Sequence, residues 1–262
     1  QFIDMGIAEE QAVAMASGIA KAGAKPVFGV YSTFIQRAYD QLSQDLCINR
    51  NPATILVFWG SLTAMNDVTH LCWFDIPLIS NIPNMVYLAP TTKEEYLAMC
   101  DWSMNQTEHP VAIRVPAAVH HATEPVDTDY SNLNQYKVTR QGSKVAIIAL
   151  GSFYQMGEQV ADNLRKAEIE ATLITPRYIT GIDEDLLNTL KANHRLVVTL
   201  EDGVLDGGFG EKITRFYGTS DMKVLNFGGK KEFQDRFNGT ELLVKNHLTP
   251  EQIEEDILSL VK

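Results

Sequence analysis

The chain has 262 residues, 45% of them apolar and 21% charged, a composition suited to one large folded domain or two of ordinary size. A net charge of −11 without a local lysine or arginine cluster argues against a nucleic-acid partner. No apolar run reaches the ~18 residues of a membrane helix. The first residues lack a signal-peptide pattern, so we expect no membrane partner and a cytoplasmic location.

The cysteines predict neither disulfides nor a metal site. Cys47, Cys72 and Cys100 are widely spaced and odd in number, a pattern typical of buried, reduced thiols. The adjacent histidines His120 and His121 do not change this expectation, because neighbouring side chains on an extended segment point to opposite faces.

The first half of the chain alternates short apolar runs with amphipathic stretches. The chain starts at Gln1 without a methionine, and residues 2–5 are predicted to form a strand already in progress, so we expect a fragment of a longer protein. Further strands are predicted at 26–31, 53–59, 84–89 and 111–115, and helices at 9–22, 33–49 and 93–105. Strands this apolar predict a parallel sheet that is covered on both faces.

The second half repeats the pattern after a polar, aperiodic segment at 117–142. Strands are predicted at 144–150, 172–175, 195–200 and 223–227, and helices at 155–167, 183–193, 210–217 and 250–261. Thr249 and Pro250 are typical N-cap and first-turn residues, so they define the start of the last helix. We predict two three-layer α/β domains with mainly parallel sheets, at 1–116 and 143–262, joined by a connector at 117–142.

Candidate ligand-binding residues lie where predicted strands and helices meet. Glu9 opens the first helix, where acids are also favoured by the helix dipole alone. Tyr31, Phe34 and Arg37 follow the strand at 26–31, the usual place for ligands in an open α/β sheet. Arg37 has a structural alternative, an ion pair with Asp40 or Asp45 on its own helix.

The glycine-rich segment 201–210 also lies between a strand and a helix. A phosphate cradle is disfavoured there, because three acids line the segment and no lysine completes it. We interpret its glycines as residues that allow close packing of the backbone at a strand-to-helix turn.

Five stretches, at 6–12, 31–41, 67–70, 82–86 and 112–116, carry a resemblance to a known family. In order and wording they resemble the pyrimidine-binding domain of 1-deoxy-D-xylulose-5-phosphate synthase (DXP synthase), within the transketolase superfamily. The similarity continues more weakly to the C-terminus. It implies a thiamine diphosphate-binding fold for the first domain and a transketolase C-terminal domain for the second.

The resemblance implies a role for each candidate. Glu9 matches the glutamate that activates the cofactor through a hydrogen bond to its pyrimidine ring, which is acid/base work. Phe34 matches the aromatic that stacks on this ring. Tyr31 and Arg37 match positions near the cofactor or substrate, and His70 in Thr69-His70 matches a substrate-facing histidine; alone, it would be a structural loop histidine.

Three departures from the family pattern bear on the substrate. Glu10-Gln11 stands where the family has Gln-His, and both Trp59 and Ala117 stand where it presents arginines to a substrate phosphate. An indole or a methyl group lacks the paired donors that hold a phosphate. The implied reaction is decarboxylation of pyruvate and two-carbon transfer to an aldehyde such as glyceraldehyde 3-phosphate. The departures favour an alternative with an unphosphorylated acceptor.

The resemblance also implies partners. Thiamine diphosphate and Mg²⁺ would be held jointly with an N-terminal diphosphate-binding domain or subunit, which carries the metal ligands, and the site would form in a homodimer. The chain is therefore expected to be inactive alone. Two alternatives stay open: a subunit of a split transketolase-like enzyme, and a non-catalytic scaffold or regulatory subunit.

Overall fold

The computed structural model describes residues 1–115 and 118–261. It contains two β-sheets, one parallel and one mainly parallel, with helices packed around them. The first sheet has four strands in the order β1-β2-β4-β3, all parallel. Its strands are β1 (Val27–Tyr31), β2 (Thr54–Phe58), β3 (Val86–Leu88) and β4 (Val111–Val115). Its helices are α1 (Glu9–Lys21), α2 (Asp75–Ser80) and α3 (Lys93–Asn105).

The second sheet has five strands in the order β5-β7-β6-β8-β9. All pair in parallel except β5, which is antiparallel to β7. Its strands are β5 (Lys137–Arg140), β6 (Lys144–Ala149), β7 (Thr172–Thr175), β8 (His194–Val204) and β9 (Lys223–Gly229). Its helices are α4 (Tyr154–Lys166), α5 (Glu184–Leu190), α6 (Phe209–Tyr217), α7 (Gly239–Lys245) and α8 (Pro250–Val261).

The predicted class, two layered α/β domains with mainly parallel sheets, is confirmed. Helices α4 and α8 cover one face of the second sheet, and α5 and α6 cover the other. This is why Val145 and Ile147 pack with the first pair of helices while Ala146 and Ile148 pack with the second. Every strand residue from Val145 to Ala149 is buried. The start of α8 at Pro250 is also as predicted.

The first sheet departs from the prediction on one face. Alternate residues of β1, namely Val27, Gly29 and Tyr31, are exposed, while Val30 faces α1 and is buried. Among the described residues no element covers this outer face of β1. The prediction of a sheet covered on both faces is therefore wrong at β1 within this chain.

Three local predictions also differ from the structure. Residues 2–5 form no strand, and Phe2 is 91% exposed. The predicted helix at 33–49 is a short 3-10 turn (Ile35–Ala38) followed by a π-helical segment (Gln41–Cys47). Helices α2 and α7, of six and seven residues, are not among the predicted elements.

The segment assigned to the connector contains strand β5. Residues 137–140 pair with β7 at the edge of the second sheet, so they belong to that sheet. A polar strand can lie at this edge because it pairs with a neighbouring strand on one side only, and its other side faces solvent. Residues 118–129 contain neither helix nor strand, and none of them is buried.

Contacts between the two domains are extensive. Strand β3 meets the segment after β7 through two backbone hydrogen bonds, Ala89 N to Arg177 O at 2.8 Å and Ile179 N to Tyr87 O at 2.7 Å. In the buried interface, Arg114 of β4 donates to both Asp75 carboxylate oxygens, at 2.7 and 3.1 Å, and to the Asp202 carbonyl at 2.6 Å. The domains therefore share one packed interior.

Limited proteolysis should cut first between residues 118 and 129, because exposed irregular backbone reaches a protease without unfolding a core. Because the interface is buried, we expect the two fragments to stay together in gel filtration after cleavage. Mass spectrometry of early fragments measures the cut. First cleavage inside β6 would contradict this boundary.

No helix among residues 1–115 and 118–261 is long and apolar enough to cross a membrane.

Candidate functional site

A pocket of about 540 Å³ lies where the carboxyl ends of β1 and β2 meet the first turn of α1. This is the edge of a parallel sheet at which α/β proteins usually bind small ligands. Most of its lining is apolar or aromatic, and Glu9 is the one charged residue among the described lining side chains. It is lined by Met5, Gly6, Ile7, Ala8, Glu9, Ala12, Phe28, Gly29, Val30, Tyr31, Phe34, Phe58 and Trp59.

Glu9 is placed by the start of α1. Its side chain is buried against the pocket, with 8% of the residue exposed. The helix positions it because Ala12, Val13 and Ala16 bury the same side of α1 against the sheet, which orients the first turn toward β1. A carboxylate held in this way can accept a hydrogen bond from a ligand inside the pocket.

Arg37 contacts Glu9 from outside the pocket. Its Nη1 lies 3.3 Å from Glu9 Oε2, and its Nε lies 3.6 Å from Glu10 Oε1. Half of the Arg37 side chain is exposed. The ion pair with Asp40 or Asp45 that the sequence allowed is therefore not formed. Arg37 instead forms ion pairs with Glu9 and Glu10, the two acids in the first turn of α1.

Tyr31, Phe34 and Trp59 form an aromatic wall. The Tyr31 ring lies 4.9 Å from the Trp59 ring and 5.9 Å from the Phe34 ring, between ring centroids. Trp59 has a φ of 61°, a left-handed conformation that is costly for a bulky residue. Its backbone is held there by a hydrogen bond from Trp59 N to Val115 O at 2.9 Å. The strained turn aims the indole at Tyr31.

His70 reaches the wall from its outer edge. It ends a 3-10 turn, Val68–His70, and its ring lies 5.3 Å from that of Phe34 in an edge-on arrangement. Thr69 Oγ1 lies 2.8 Å and Asp67 Oδ1 3.4 Å from His70 Nδ1. Hydrogen bonds from Thr69, and then His70, lower the pKa of Asp67 to about 2. Asp67 therefore stays ionised and orients the turn.

The structure brings all five predicted residues into one continuous array, three of them in the pocket lining and two in contact with it. Glu9, Tyr31 and Phe34 line the pocket, His70 touches Phe34, and Arg37 supports Glu9 from behind. Sequence reasoning missed Phe28 and Phe58, which also line the pocket. The strand register, which pairs Tyr31 with Phe58, carried this information, but register was not deduced from the sequence. Ala117 lies outside the described residues.

The arrangement suits a flat, largely uncharged ring. Aromatic faces on one side offer stacking area, and a single carboxylate offers a hydrogen-bond acceptor at the rim. No cation lines the described part of the pocket, so this chain supplies nothing here to neutralise a diphosphate. Within residues 1–115 and 118–261, no cluster of His, Cys, Asp and Glu has the arrangement of a metal site.

The acidic, glycine-rich turn at 201–210 is structural, as interpreted from its charges. Glu201 is buried, and its two carboxylate oxygens accept hydrogen bonds from Phe209 N at 2.7 Å and Gly210 N at 2.8 Å, at the start of α6. Burial raises the pKa of Glu201 to about 7, although these hydrogen bonds oppose the rise. The protein's own carboxylate thus occupies the place that a phosphate would take.

Fold and pocket together define a two-domain α/β protein with an aromatic-lined pocket beside a buried acid. Sequence comparison gives the family. The transketolase pyrimidine binding domain profile matches residues 1–119, and the transketolase C-terminal domain profile matches residues 134–253. The chain belongs to the transketolase family, whose enzymes depend on thiamine diphosphate, and it carries these two domains.

Within this family the similar relatives are DXP synthases. The enzyme named 1-deoxy-D-xylulose-5-phosphate synthase in Clostridium tetani is 34% identical over 263 residues, covering 100% of this chain and 42% of the relative. Its namesake in Clostridium acetobutylicum is 37% identical over 250 residues, covering 94% and 40%. The chain thus spans about two fifths of the length of these relatives.

Solved structures share the fold. A split gene transketolase, described as an inactive β4 tetramer, superimposes with a TM-score of 0.84 at 23% identity, covering 100% of this chain and 85% of that one. A transketolase variant from Pichia stipitis superimposes with a TM-score of 0.80 at 17% identity, covering 98% and 37%.

Proposed function

We propose that this chain supplies the pyrimidine-binding half of a thiamine diphosphate site in a DXP synthase-type transferase. The observation that carries the proposal is the buried carboxylate of Glu9 at the rim of an aromatic pocket, in a chain with the family's two domains. The proposed substrates, taken from the family resemblance, are pyruvate and an aldehyde such as glyceraldehyde 3-phosphate.

Each site residue has a task in this proposal. When bound, thiamine diphosphate supplies the carbon nucleophile that attacks the 2-oxo acid. Glu9 would hold a hydrogen bond to the pyrimidine ring, and burial would keep water from competing for its free oxygen. Phe34 would stack on the ring, with Tyr31 beside it. His70 would face the substrate beside Phe34, where its partly exposed ring can form a hydrogen bond.

Arg37 would keep Glu9 in place in this scheme. The 3.3 Å contact restrains the carboxylate from behind, which leaves one Glu9 oxygen for the ligand. Because the Arg37 side chain is half exposed, the pair contributes little to folding stability. Its value would lie in orientation of the carboxylate.

The missing parts of the site define the partner. This chain lines the pocket with one acid and no cation, so the diphosphate and a Mg²⁺ ion would be held by a diphosphate-binding domain, on the same or another polypeptide. The exposed side of β1, with Gly29 and Tyr31, and the exposed Ile7 line the pocket and offer apolar surface for this domain. We propose that the complete site forms in a dimer and that this chain alone is inactive.

Reconstitution tests the proposed function. The chain is mixed with the diphosphate-binding part of a DXP synthase relative, thiamine diphosphate, Mg²⁺, pyruvate and an aldehyde, and CO₂ release and the condensed product are measured. We expect turnover with both parts and none with either part alone. Assembly without turnover would favour the non-catalytic alternative, and turnover by this chain alone would contradict its dependence on a partner.

Acceptor choice is a separate prediction that rests on Trp59. The indole and Tyr31 give this side of the pocket an apolar wall that suits an unphosphorylated aldehyde. We expect short unphosphorylated aldehydes to be used at least as efficiently as glyceraldehyde 3-phosphate, and Trp59→Arg to shift the ratio of kcat/KM toward the phosphorylated acceptor by about tenfold or more. Trp59→Phe is the control that keeps the ring. A native preference for glyceraldehyde 3-phosphate would overturn this prediction.

A further inference from the structure

The loop that carries His70, residues 61–72, belongs to the first domain by chain order but packs against the second. Leu62 and Leu71, at its two ends, are 1% and 2% exposed. Both lie in the hydrophobic cluster built by β6, β8, α4 and α8, together with Trp73 just beyond the loop. Leu62 packs directly on Gly229 of β9, where an added Cβ would displace the end of the leucine side chain. The second domain thus holds both ends of this loop.

Asp202 fastens the beginning of the loop. This buried carboxylate accepts a hydrogen bond from Leu62 N through Oδ1 at 2.8 Å, and one from Ser152 Oγ through Oδ2 at 2.7 Å. Its backbone carbonyl accepts the hydrogen bond from Arg114. One residue of β8 therefore joins the His70 loop, the first-domain sheet and the second-domain turn at 151–153.

The tip of the loop is held by the segment after β9. Asn66 O accepts from Arg236 N at 2.6 Å, and Asn66 Nδ2 donates to Phe237 O at 3.4 Å. Val68 N donates to Asp235 Oδ1 at 3.3 Å, two residues before His70. These contacts are exposed to solvent, whereas the Asp202 contact is buried. Together the two anchors restrain the loop at its base and at its tip.

We propose that the C-terminal domain positions His70 against the pocket, with Asp202 as the principal positioning residue and Asp235 as a secondary one. An effect of Asp202 on turnover would depend on the proposed role of His70 in the reaction. The position of the His70 loop does not depend on that role, because the loop contacts exist in this chain without any substrate.

The structural test uses the 262-residue chain itself. Backbone hydrogen exchange and the NMR signals of the His70 ring are compared between the native chain and Asp202→Ala. We expect the Leu62 amide to exchange about tenfold faster or more, because its acceptor is lost. The His70 ring signals should shift, because the ring moves relative to Phe34. Amides of β6 and β7 should keep their native exchange rates if the fold is intact.

Two further variants keep the test decisive. Asp202→Asn retains an oxygen for Leu62 N, and its amide can donate to Ser152, so it should restore native exchange and the native His70 signals. Asp235→Ala removes an exposed contact only, so it should fold and still shift the His70 signals. Asp221→Ala, an exposed acid before β9 at the opposite end of that strand, is the matched control and should change neither.

The outcomes separate this inference from the proposed function. Native exchange at Leu62 and native His70 signals in both Asp202→Ala and Asp235→Ala would overturn the positioning role. In the reconstituted enzyme, a positioning role predicts that Asp202→Ala lowers kcat about as much as His70→Ala does, with recovery in Asp202→Asn. If His70→Ala leaves turnover unchanged while the loop signals still move in Asp202→Ala, the role of His70 fails and the positioning of the loop stands.

Discussion

Glu9→Ala should lower the turnover of the reconstituted enzyme by roughly a hundredfold or more, the range expected when positioned acid/base help is lost. Glu9 is the one charged side chain among the described residues that line the pocket, so no neighbour in the pocket can take its place. Glu9→Gln should show a similar loss, because an amide keeps the shape but does not exchange a proton. The measurement is kcat under saturating thiamine diphosphate and pyruvate.

The neighbouring acid supplies the control for Glu9. Glu10 also contacts Arg37 and also lies in the first turn of α1, yet it does not line the pocket. Glu10→Gln should therefore retain most of the activity. The Glu9 variants should fold normally, because the contact that they lose, to a half-exposed arginine, contributes little to stability. Native turnover in Glu9→Ala would remove this residue from the mechanism.

Asp75→Ala should destabilise the whole chain by about 3–5 kcal/mol, the cost of leaving a buried charge without its partner. Asp75 is 1% exposed and Arg114 4% exposed. Tyr87 also donates its hydroxyl to Asp75. Burial lowers the pKa of Arg114, but the charge and hydrogen bond of Asp75, together with Tyr87 and Asp202, raise it overall, so this arginine remains charged. Urea unfolding followed by circular dichroism measures the loss.

Two variants bracket the Asp75 result. Glu170→Ala breaks an exposed pair with Arg165, at 3.4 Å, and should cost less than about 1 kcal/mol. The double variant Asp75→Leu with Arg114→Met removes both buried charges and should recover part of the loss. A loss below about 1 kcal/mol for Asp75→Ala would mean that the pair does not hold the interface.

The Arg114 pair also connects folding to the site. Gly60 lies directly against the Arg114 guanidinium, where a Cβ would collide with it. Gly60 follows Trp59, whose backbone is hydrogen-bonded to Val115, the residue after Arg114. The ion pair at the domain interface therefore supports the strained turn that presents the indole to Tyr31.

The sequence alone determined the features that depend on local patterns. The apolar run Val145–Ala149 predicted a strand covered on both faces, because no other short element buries every residue of such a run. Thr249 and Pro250 predicted the start of α8, because a cap and a first-turn proline act within a single turn. The family resemblance marked Glu9, Tyr31, Phe34, Arg37 and His70, and the profile matches confirm the two domains.

The tertiary structure alone decided which of these residues meet. Arg37 had several acids within reach along the chain, and packing of α1 on β1 selected Glu9 and Glu10. The edge strand β5 could not be predicted from its polar side chains. It forms only by pairing with β7, which lies more than thirty residues further along the chain. The His70 loop is anchored by Asp202, 140 residues away from Leu62. Contacts over such separations depend on the packing of whole domains, which no local pattern of residues encodes.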